Sequence, residues 1–203
     1  MNYNLSVFWF RRDLRLHDNH GFFQALKKSK SVLPIFIFDI NILDGLDKND
    51  RRVSLLFDRL KELNTELAKQ NKKIHVYFGD PKTIFNNLFE KLPYDAIFTN
   101  TDYEPYAIKR DKSIKAFFSK KVKFHSFKDQ VIFEKDEILT DSGKVYGVYT
   151  YYMKKWKAQF RASMTQAFPS ETLLHKCKKS DVLPSVETIE DIGFEYTDYI
   201  LHK

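Results

Sequence analysis

The residues best suited to chemistry follow directly after the first apolar run of the chain. Leu5 to Phe10 is apolar except for Ser6, which predicts a strand buried on both faces. Seven of the next nine residues, Arg11 to Asn19, are charged, His or Asn. Polar groups placed there lie at the carboxyl edge of a parallel sheet, where open α/β folds bind ligands. This turn is therefore a candidate ligand site; a solvated loop whose charges pair with one another is the alternative.

A second polar stretch, Asn100 to Asp111, carries carboxylates and aromatic rings before a predicted helix. Asp102 and Glu104 offer acceptors, while Tyr103 and Tyr106 offer flat faces. Together with a helix N-terminus, these groups suit a planar heteroaromatic ligand with hydrogen-bonding edges. The alternative is a solvated loop whose acids cap the helix.

Several common site signatures are missing from the sequence. The glycines are isolated, and neither a G-x-G-x-x-G nor a P-loop follows the first strand, which argues against a dinucleotide dehydrogenase. The segment His17 to Gly21 is close to the H-x-G-H of nucleotidylyl transferases, but its glycine is misplaced. Helix capping by Asp18 or Asn19 is the better interpretation of that segment.

The pattern of the chain alternates between apolar strands and amphipathic helices, which predicts a doubly wound, five-stranded parallel sheet of Rossmann-like type with right-handed crossovers. The predicted strands are Leu5 to Phe10, Val32 to Phe38, Ile74 to Phe78, Ala96 to Phe98 and Val122 to Phe127. The predicted helices are Gly21 to Lys28, Asp50 to Gln70, Pro81 to Leu92 and Tyr106 to Lys120. The loops after the first four strands should share one rim.

The alternation stops near residue 130, which divides the chain into three predicted parts. Residues 1–130 form the α/β domain, and residues 131–179 elaborate it with an extended stretch and a helix over Tyr149 to Phe168. Residues 180–203 are predicted to be a polar linker.

Composition and charge place limits on the function. The chain has 203 residues, 43% of them hydrophobic, and a net charge of +7, which is compatible with a polyanionic partner. A solvated lysine-rich surface is the alternative interpretation of that charge. A single cysteine, Cys177, excludes an internal disulfide and a cysteine-rich zinc site. We expect a cytoplasmic protein without export signal or membrane anchor.

Four stretches of the sequence together resemble the DNA photolyase and cryptochrome family. The run F-R-R-D-L-R-L-H-D-N, residues 10–19, is similar to the opening signature of that family. The stretches at residues 49–57, 100–111 and 146–156 resemble its long second helix, its pigment-pocket loop and its interdomain segment. In the last of these, Tyr151 replaces the usual proline.

The resemblance implies an N-terminal antenna domain of a light-driven, monomeric DNA repair enzyme, a deoxyribodipyrimidine photolyase. In that family a C-terminal helical domain holds FAD and receives pyrimidine dimers of DNA. We expect residues 180–203 to lead toward such a domain, which this chain lacks. No catalytic or metal-binding residue is therefore nominated, and the chain alone should not repair DNA.

The resemblance also implies a pigment in the α/β domain. Family members that bind methenyltetrahydrofolate contact it through an Asn-Glu pair, and Tyr106-Ala107 stand at those positions here. The resemblance therefore favours FMN or a deazaflavin over methenyltetrahydrofolate. The nominated pigment-binding residues are Arg11, Asp13, Phe38, Asp39, Asp102, Glu104 and Tyr106.

Two other functions stay open at the level of the sequence. A cryptochrome, which is a blue-light photoreceptor acting through partners, shares the same domain. A stand-alone nucleotide-binding α/β module would use the same sheet edge and bind ATP or AMP without a visible chromophore.

Overall fold

The computed structural model describes residues 2–200 and contains one parallel sheet of five strands in the order β3-β2-β1-β4-β5. All four strand pairs are parallel, as the alternation of strands and helices predicts. The strands are β1 Tyr3–Phe10, β2 Ser29–Asp39, β3 His75–Gly79, β4 Ala96–Asn100 and β5 Lys123–Phe127.

Helices connect the strands, and three of them begin beside a polar side chain that caps the first turn. The helices are α1 His20–Lys28, α2 Ile40–Leu43, α3 Arg51–Ala68, α4 Pro81–Lys91, α5 Pro105–Phe118 and α6 Tyr149–Gln159. The side chains of Asn19, Asp50 and Asp80 accept hydrogen bonds from the first turns of α1, α3 and α4. Within residues 2–200, none of the helices has the length and apolar character needed to cross a bilayer.

The two faces of the sheet bury separate cores, because successive residues of a strand point to opposite faces. Phe8, Phe10 and Phe38 pack beneath α1 and α3 on one face. Val7 and Trp9 pack beneath α4 and α5 on the other. The predicted doubly wound sheet is confirmed, with β2 beginning three residues earlier than predicted and α2 not predicted at all.

The helix predicted over Tyr149 to Phe168 is wrong in its second half, because α6 ends at Gln159. Arg161 Nη1 donates hydrogen bonds to the carbonyl oxygens of Ala158 and Phe160, at 2.7 and 2.8 Å, so the helix end needs no continuation. Phe168 instead stacks on the ring of His20, with 3.8 Å between the ring centroids.

The chain after Lys176, which includes the polar linker predicted over residues 180–203, packs against the domain along much of its described length. Cys177 forms a parallel bridge to Val32 of β2. The Val186 amide donates a 2.7 Å hydrogen bond to the carbonyl oxygen of Val76 in β3. The apolar residues further along the segment are almost fully buried in the core beneath α3; these are Ile189, Ile192 and Phe194.

Candidate pigment-binding groove

The polar turn after β1 is held by a buried carboxylate, Asp13. Its oxygens accept hydrogen bonds from the Arg11 amide at 2.8 Å, from Asn19 Nδ2 at 3.3 Å and from Asn100 Nδ2. Burial raises the pKa of Asp13, and the hydrogen bonds from the Arg11 amide and Asn100 and the Arg11 charge oppose that rise. The turn is thereby fixed to the end of β4.

The start of α1 approaches β4 closely because residue 21 is glycine. The Gly21 amide donates a 2.7 Å hydrogen bond to Asn100 Oδ1. A Cβ atom at Gly21 would lie 2.5 Å from that oxygen and 3.1 Å from the Phe8 ring. Glycine at this position therefore allows the contact between the turn and the strand.

Four charged side chains of alternating sign, with a tyrosine at one end, cross the rim from β2 to β1. We call this set the rim network; its members are Tyr106, Asp39, Arg110, Asp111 and Arg11. Asp39 Oδ2 accepts from Tyr106 Oη at 2.7 Å and from Arg110 Nη1 at 3.3 Å. Asp111 accepts from Arg110 Nη2 at 3.2 Å and from Arg11 Nη1 at 2.8 Å. Since both arginine side chains are only 8% exposed, these are partly desolvated ion pairs that fix one another's geometry.

Tyr106 is the exposed end of the rim network. Burial and the hydrogen bond to Asp39 raise the pKa of Tyr106 to about 12. Its hydroxyl therefore stays protonated at neutral pH and keeps donating to Asp39.

The turn after β1 and the loop after β4 meet directly, as the sequence predicted. Arg12 Nε donates to Asp102 Oδ2 at 3.2 Å, and Arg12 Nη2 lies 3.7 Å from Glu104 Oε1. The Arg12 side chain is 61% exposed, so these contacts add little stability but show that the two corners share one rim.

Between these corners and α3 lies a groove of about 510 Å³, within the size range of small-molecule sites. One side is charged and aromatic, and the other side is apolar. The groove is lined by Trp9, Arg11, Arg12, Phe36, Ile37, Phe38, Asp39, Ile42, Leu43, Leu46, Arg52, Val53, Leu56, Asp102, Glu104, Tyr106, Ala107 and Arg110.

Trp9 anchors the charged side of the groove. The guanidinium carbons of Arg110 and Arg11 lie 4.5 and 5.0 Å from the centroid of the Trp9 ring. These cation–π contacts hold both arginines beside the groove. Among the described residues that line the groove there is no Ser, Cys, His or Lys.

Six of the seven nominated residues line the groove, and Asp13 does not. Asp13 is 4% exposed, and its carboxylate points into the turn, where it accepts hydrogen bonds from Asn19 and Asn100. Its contribution is to hold the turn that presents Arg11.

Two thirds of the groove-lining residues were not nominated from the sequence, among them Trp9, Arg52 and Arg110. Arg110 was detectable, because it stands four residues after Tyr106 on α5 and therefore shares a helical face with it. Val53 and Leu56 belong to the apolar stripe of α3, and nothing in that stripe distinguishes groove positions from core positions.

A doubly wound parallel sheet with a mixed groove across its carboxyl edge defines a Rossmann-like α/β domain, a fold class in which ligands bind at that edge. The family model for DNA photolyase matches residues 6–172, and this chain belongs to that family. Within the family, the chain corresponds to the N-terminal α/β domain of photolyases and cryptochromes.

Relatives match over almost the whole chain. An uncharacterised 31.6 kDa protein of Synechococcus sp. (strain PCC 6716) is 30% identical over 99% of this chain and 70% of its own length. A deoxyribodipyrimidine photo-lyase of Synechococcus sp. (strain ATCC 27144) is 31% identical over 94% of this chain. This chain spans 40% of that photolyase's length.

Solved structures agree with the fold. A bacterial class III photolyase from Agrobacterium tumefaciens superposes with a TM-score of 0.77 over 95% of this chain and 39% of its own, at 24% identity. An archaeal photolyase from Sulfolobus tokodaii, described with two FAD molecules and a novel light-harvesting cofactor, gives a TM-score of 0.65 at 31% identity. That match covers 77% of this chain and 36% of the archaeal one.

Proposed function

We propose that this domain binds a flavin-type pigment, FMN or a deazaflavin, as the light-harvesting antenna of a deoxyribodipyrimidine photolyase. In this proposal the pigment passes its excitation to FAD in a helical domain, which splits pyrimidine dimers in DNA. The observation that carries the proposal is the groove of about 510 Å³ at the sheet edge, with an apolar side facing a charged one.

The groove offers a complementary surface to each part of such a pigment. Phe38, Val53 and Leu56 form an apolar side against which a planar ring can pack. Arg110 and Asp39 supply a donor and an acceptor for the polar edge of the ring. Arg12 and Arg52 are exposed at the mouth, where a ribityl or phosphate tail would reach solvent.

Energy transfer by dipole coupling needs a fixed pigment and no proton transfer from the protein. The rim network supports that requirement, because each of its side chains is held by a neighbour across β1, β2 and α5. Asp13 supports it further by fixing the turn that carries Arg11.

Two observations support a flavin over methenyltetrahydrofolate. The resemblance to the family implies that Tyr106 and Ala107 stand at the positions of its folate-contacting Asn-Glu pair, and the Tyr106 hydroxyl donates its hydrogen bond to Asp39. The relative from Sulfolobus tokodaii carries a second FAD, which its structure implies to be a light-harvesting cofactor.

Reconstitution with FMN, a deazaflavin and methenyltetrahydrofolate tests the proposal by absorbance and equilibrium dialysis. Leu56→Gln places an amide in the apolar side of the groove and should weaken flavin binding about tenfold. Leu55→Gln is the control, because Leu55 is also half-buried on α3 but lies outside the groove. Failure of both flavin types to bind tightly would remove the pigment assignment.

Repair of DNA by a monomeric, cytoplasmic enzyme is the second half of the proposal. The net charge of +7 supports a polyanionic substrate, and the single free thiol of Cys177 supports a reducing compartment. A light-dependent assay on a dimer-containing oligonucleotide, with the FAD-binding domain supplied, should show dimer splitting. Flavin photochemistry without dimer splitting would assign the protein to the cryptochromes.

A stand-alone nucleotide-binding module is the second candidate, and one relative favours it. The match occupies 70% of the 31.6 kDa Synechococcus protein but only 40% of the photolyase. A module should bind ATP or AMP in calorimetric titrations and should show no preference for flavins.

A further inference from the structure

The C-terminal residues 194–199, which we call the C-terminal clamp, are bonded to the first half of α3. Tyr196 Oη and Tyr199 Oη both donate 2.9 Å hydrogen bonds to Asp58 Oδ2. Between them, the Thr197 amide donates a 3.0 Å hydrogen bond to Oγ of Ser54, which is fully buried. The clamp therefore grips α3 at two successive turns.

The clamp also holds the loop that leads into α3. Phe194 is 2% exposed, and Lys48 Nζ lies 4.8 Å from the centroid of its ring. The Glu195 amide donates a 2.8 Å hydrogen bond to the Lys48 carbonyl oxygen. Gly193 turns the chain into this position with φ of 74°, a conformation that favours glycine.

The residues that the clamp grips alternate along the chain with residues of the groove. Four groove-lining residues, Leu46 in the loop before α3 and Arg52, Val53 and Leu56 on α3, form what we call the α3 wall. The residues that the clamp contacts lie between or beside these four in the sequence; they are Lys48, Ser54 and Asp58. A helix transmits a displacement of one turn to the next because its backbone is hydrogen-bonded.

We propose that the C-terminal clamp positions the α3 wall, so that pigment affinity depends on residues 194–199 although none of them lines the groove. This inference rests on the proposed function for its ligand. By linkage, a clamp that raises pigment affinity is itself stabilised by pigment binding to the same factor. Segments held by a few partly exposed hydrogen bonds open at low free-energy cost, which makes such coupling measurable.

Two variants weaken the clamp without touching the groove. Tyr196→Phe combined with Tyr199→Phe removes both donors and keeps both rings, whereas Asp58→Ala removes the shared acceptor. Glu66→Ala is the matched control, because Glu66 is an exposed acid two turns further along α3. We expect both clamp variants to weaken FMN binding about fivefold, the lower end of ordinary coupling, and the control to leave it unchanged.

Hydrogen exchange distinguishes a local change at α3 from a general loss of stability, which would raise exchange throughout the domain. Without pigment, the clamp variants should exchange faster over residues 51–58, while the β1 amides should keep the wild-type rate. With saturating FMN, the wild-type amides of Glu195 and Thr197 should become more protected, because they donate to Lys48 and Ser54.

The outcomes separate this inference from the proposed function. If the wild-type protein binds FMN and neither clamp variant weakens that binding, the inference is overturned and the antenna proposal stands. If the wild-type protein binds no flavin, the antenna proposal fails, and exchange over residues 51–58 alone decides whether the clamp positions the wall. Unchanged exchange there in both variants would overturn it.

Discussion

Lowering the pH should destabilise this domain through one buried histidine, His75. The His75 side chain is fully buried, its Nε2 accepts a 3.2 Å hydrogen bond from the Ser180 amide, and its Nδ1 has no partner among residues 2–200. Burial, followed by the nearby charge of Lys73, lowers the pKa of His75 from 6.5 to about 4. The folded protein thus keeps this ring neutral at pH values where the unfolded chain protonates it.

The sign and size of the effect follow from that difference in pKa. Below pH 6.5 the unfolded state binds a proton that the folded state refuses, so the free energy of unfolding falls as the pH is lowered towards 4. A difference of about two and a half pKa units corresponds to a loss of about 3 kcal/mol. The loss is complete once the pH lies below the pKa of the folded state.

Urea denaturation at a series of pH values between about 7 and 4 measures this loss directly. His75→Gln keeps an acceptor for the Ser180 amide and removes the imidazole that titrates. Between about pH 7 and 4, the free energy of unfolding of this variant should therefore fall by about 3 kcal/mol less than that of the wild-type protein. His17→Gln, at an exposed position, controls for the introduction of glutamine. Equal pH slopes for the wild-type and His75→Gln proteins would refute the reasoning.

Three further predictions concern stability and reactivity. Gly21→Ala should destabilise the domain by about 2 kcal/mol in urea titrations, because its Cβ would collide with Asn100 Oδ1; an unchanged midpoint would contradict the close contact. Asp39→Asn should lower the free energy of unfolding by about 3 kcal/mol, because it leaves the buried Arg110 guanidinium with one carboxylate fewer. An unchanged stability by calorimetry would count against the rim network. Burial raises the pKa of Cys177 to about 12, so thiol reagents should label it only at the rate of unfolding; rapid labelling of the native protein would disprove its burial.

Much of the fold was predictable because the sheet is regular and its helices carry their own signals. The Asp80-Pro81 pair marks the start of α4, and Asn71 ends the α3 region in the left-handed conformation that often follows a helix, with φ of 55°. The end of α6 was not predictable, since the aromatic residues beyond Gln159 continue a helical spacing. Phe168 leaves that pattern to stack on His20, a partner far away in sequence.

The candidate site was predictable at the level of loops but not of every side chain. The rim shared by Arg12 and Asp102 follows from parallel topology, because the carboxyl ends of all five strands meet at one edge. The inward direction of Asp13 depends on Asn100, which no local pattern connects to it. The path of residues 180–200 depends on contacts with β3 and α3. The segment is polar in composition, so the sequence does not indicate that Ile189, Ile192 and Phe194 are buried.

Trp9 gives the domain a built-in optical reporter. It is one of only two tryptophans in the chain and lies between the core and the groove, beneath the guanidinium groups of Arg110 and Arg11. A pigment bound in the groove would lie within a few ångströms of this indole and would quench its fluorescence. Trp156 lies on α6 and outside the groove, so its fluorescence would be quenched less. Occupancy of the groove can therefore be followed in the unlabelled protein by the loss of one of two fluorescent signals.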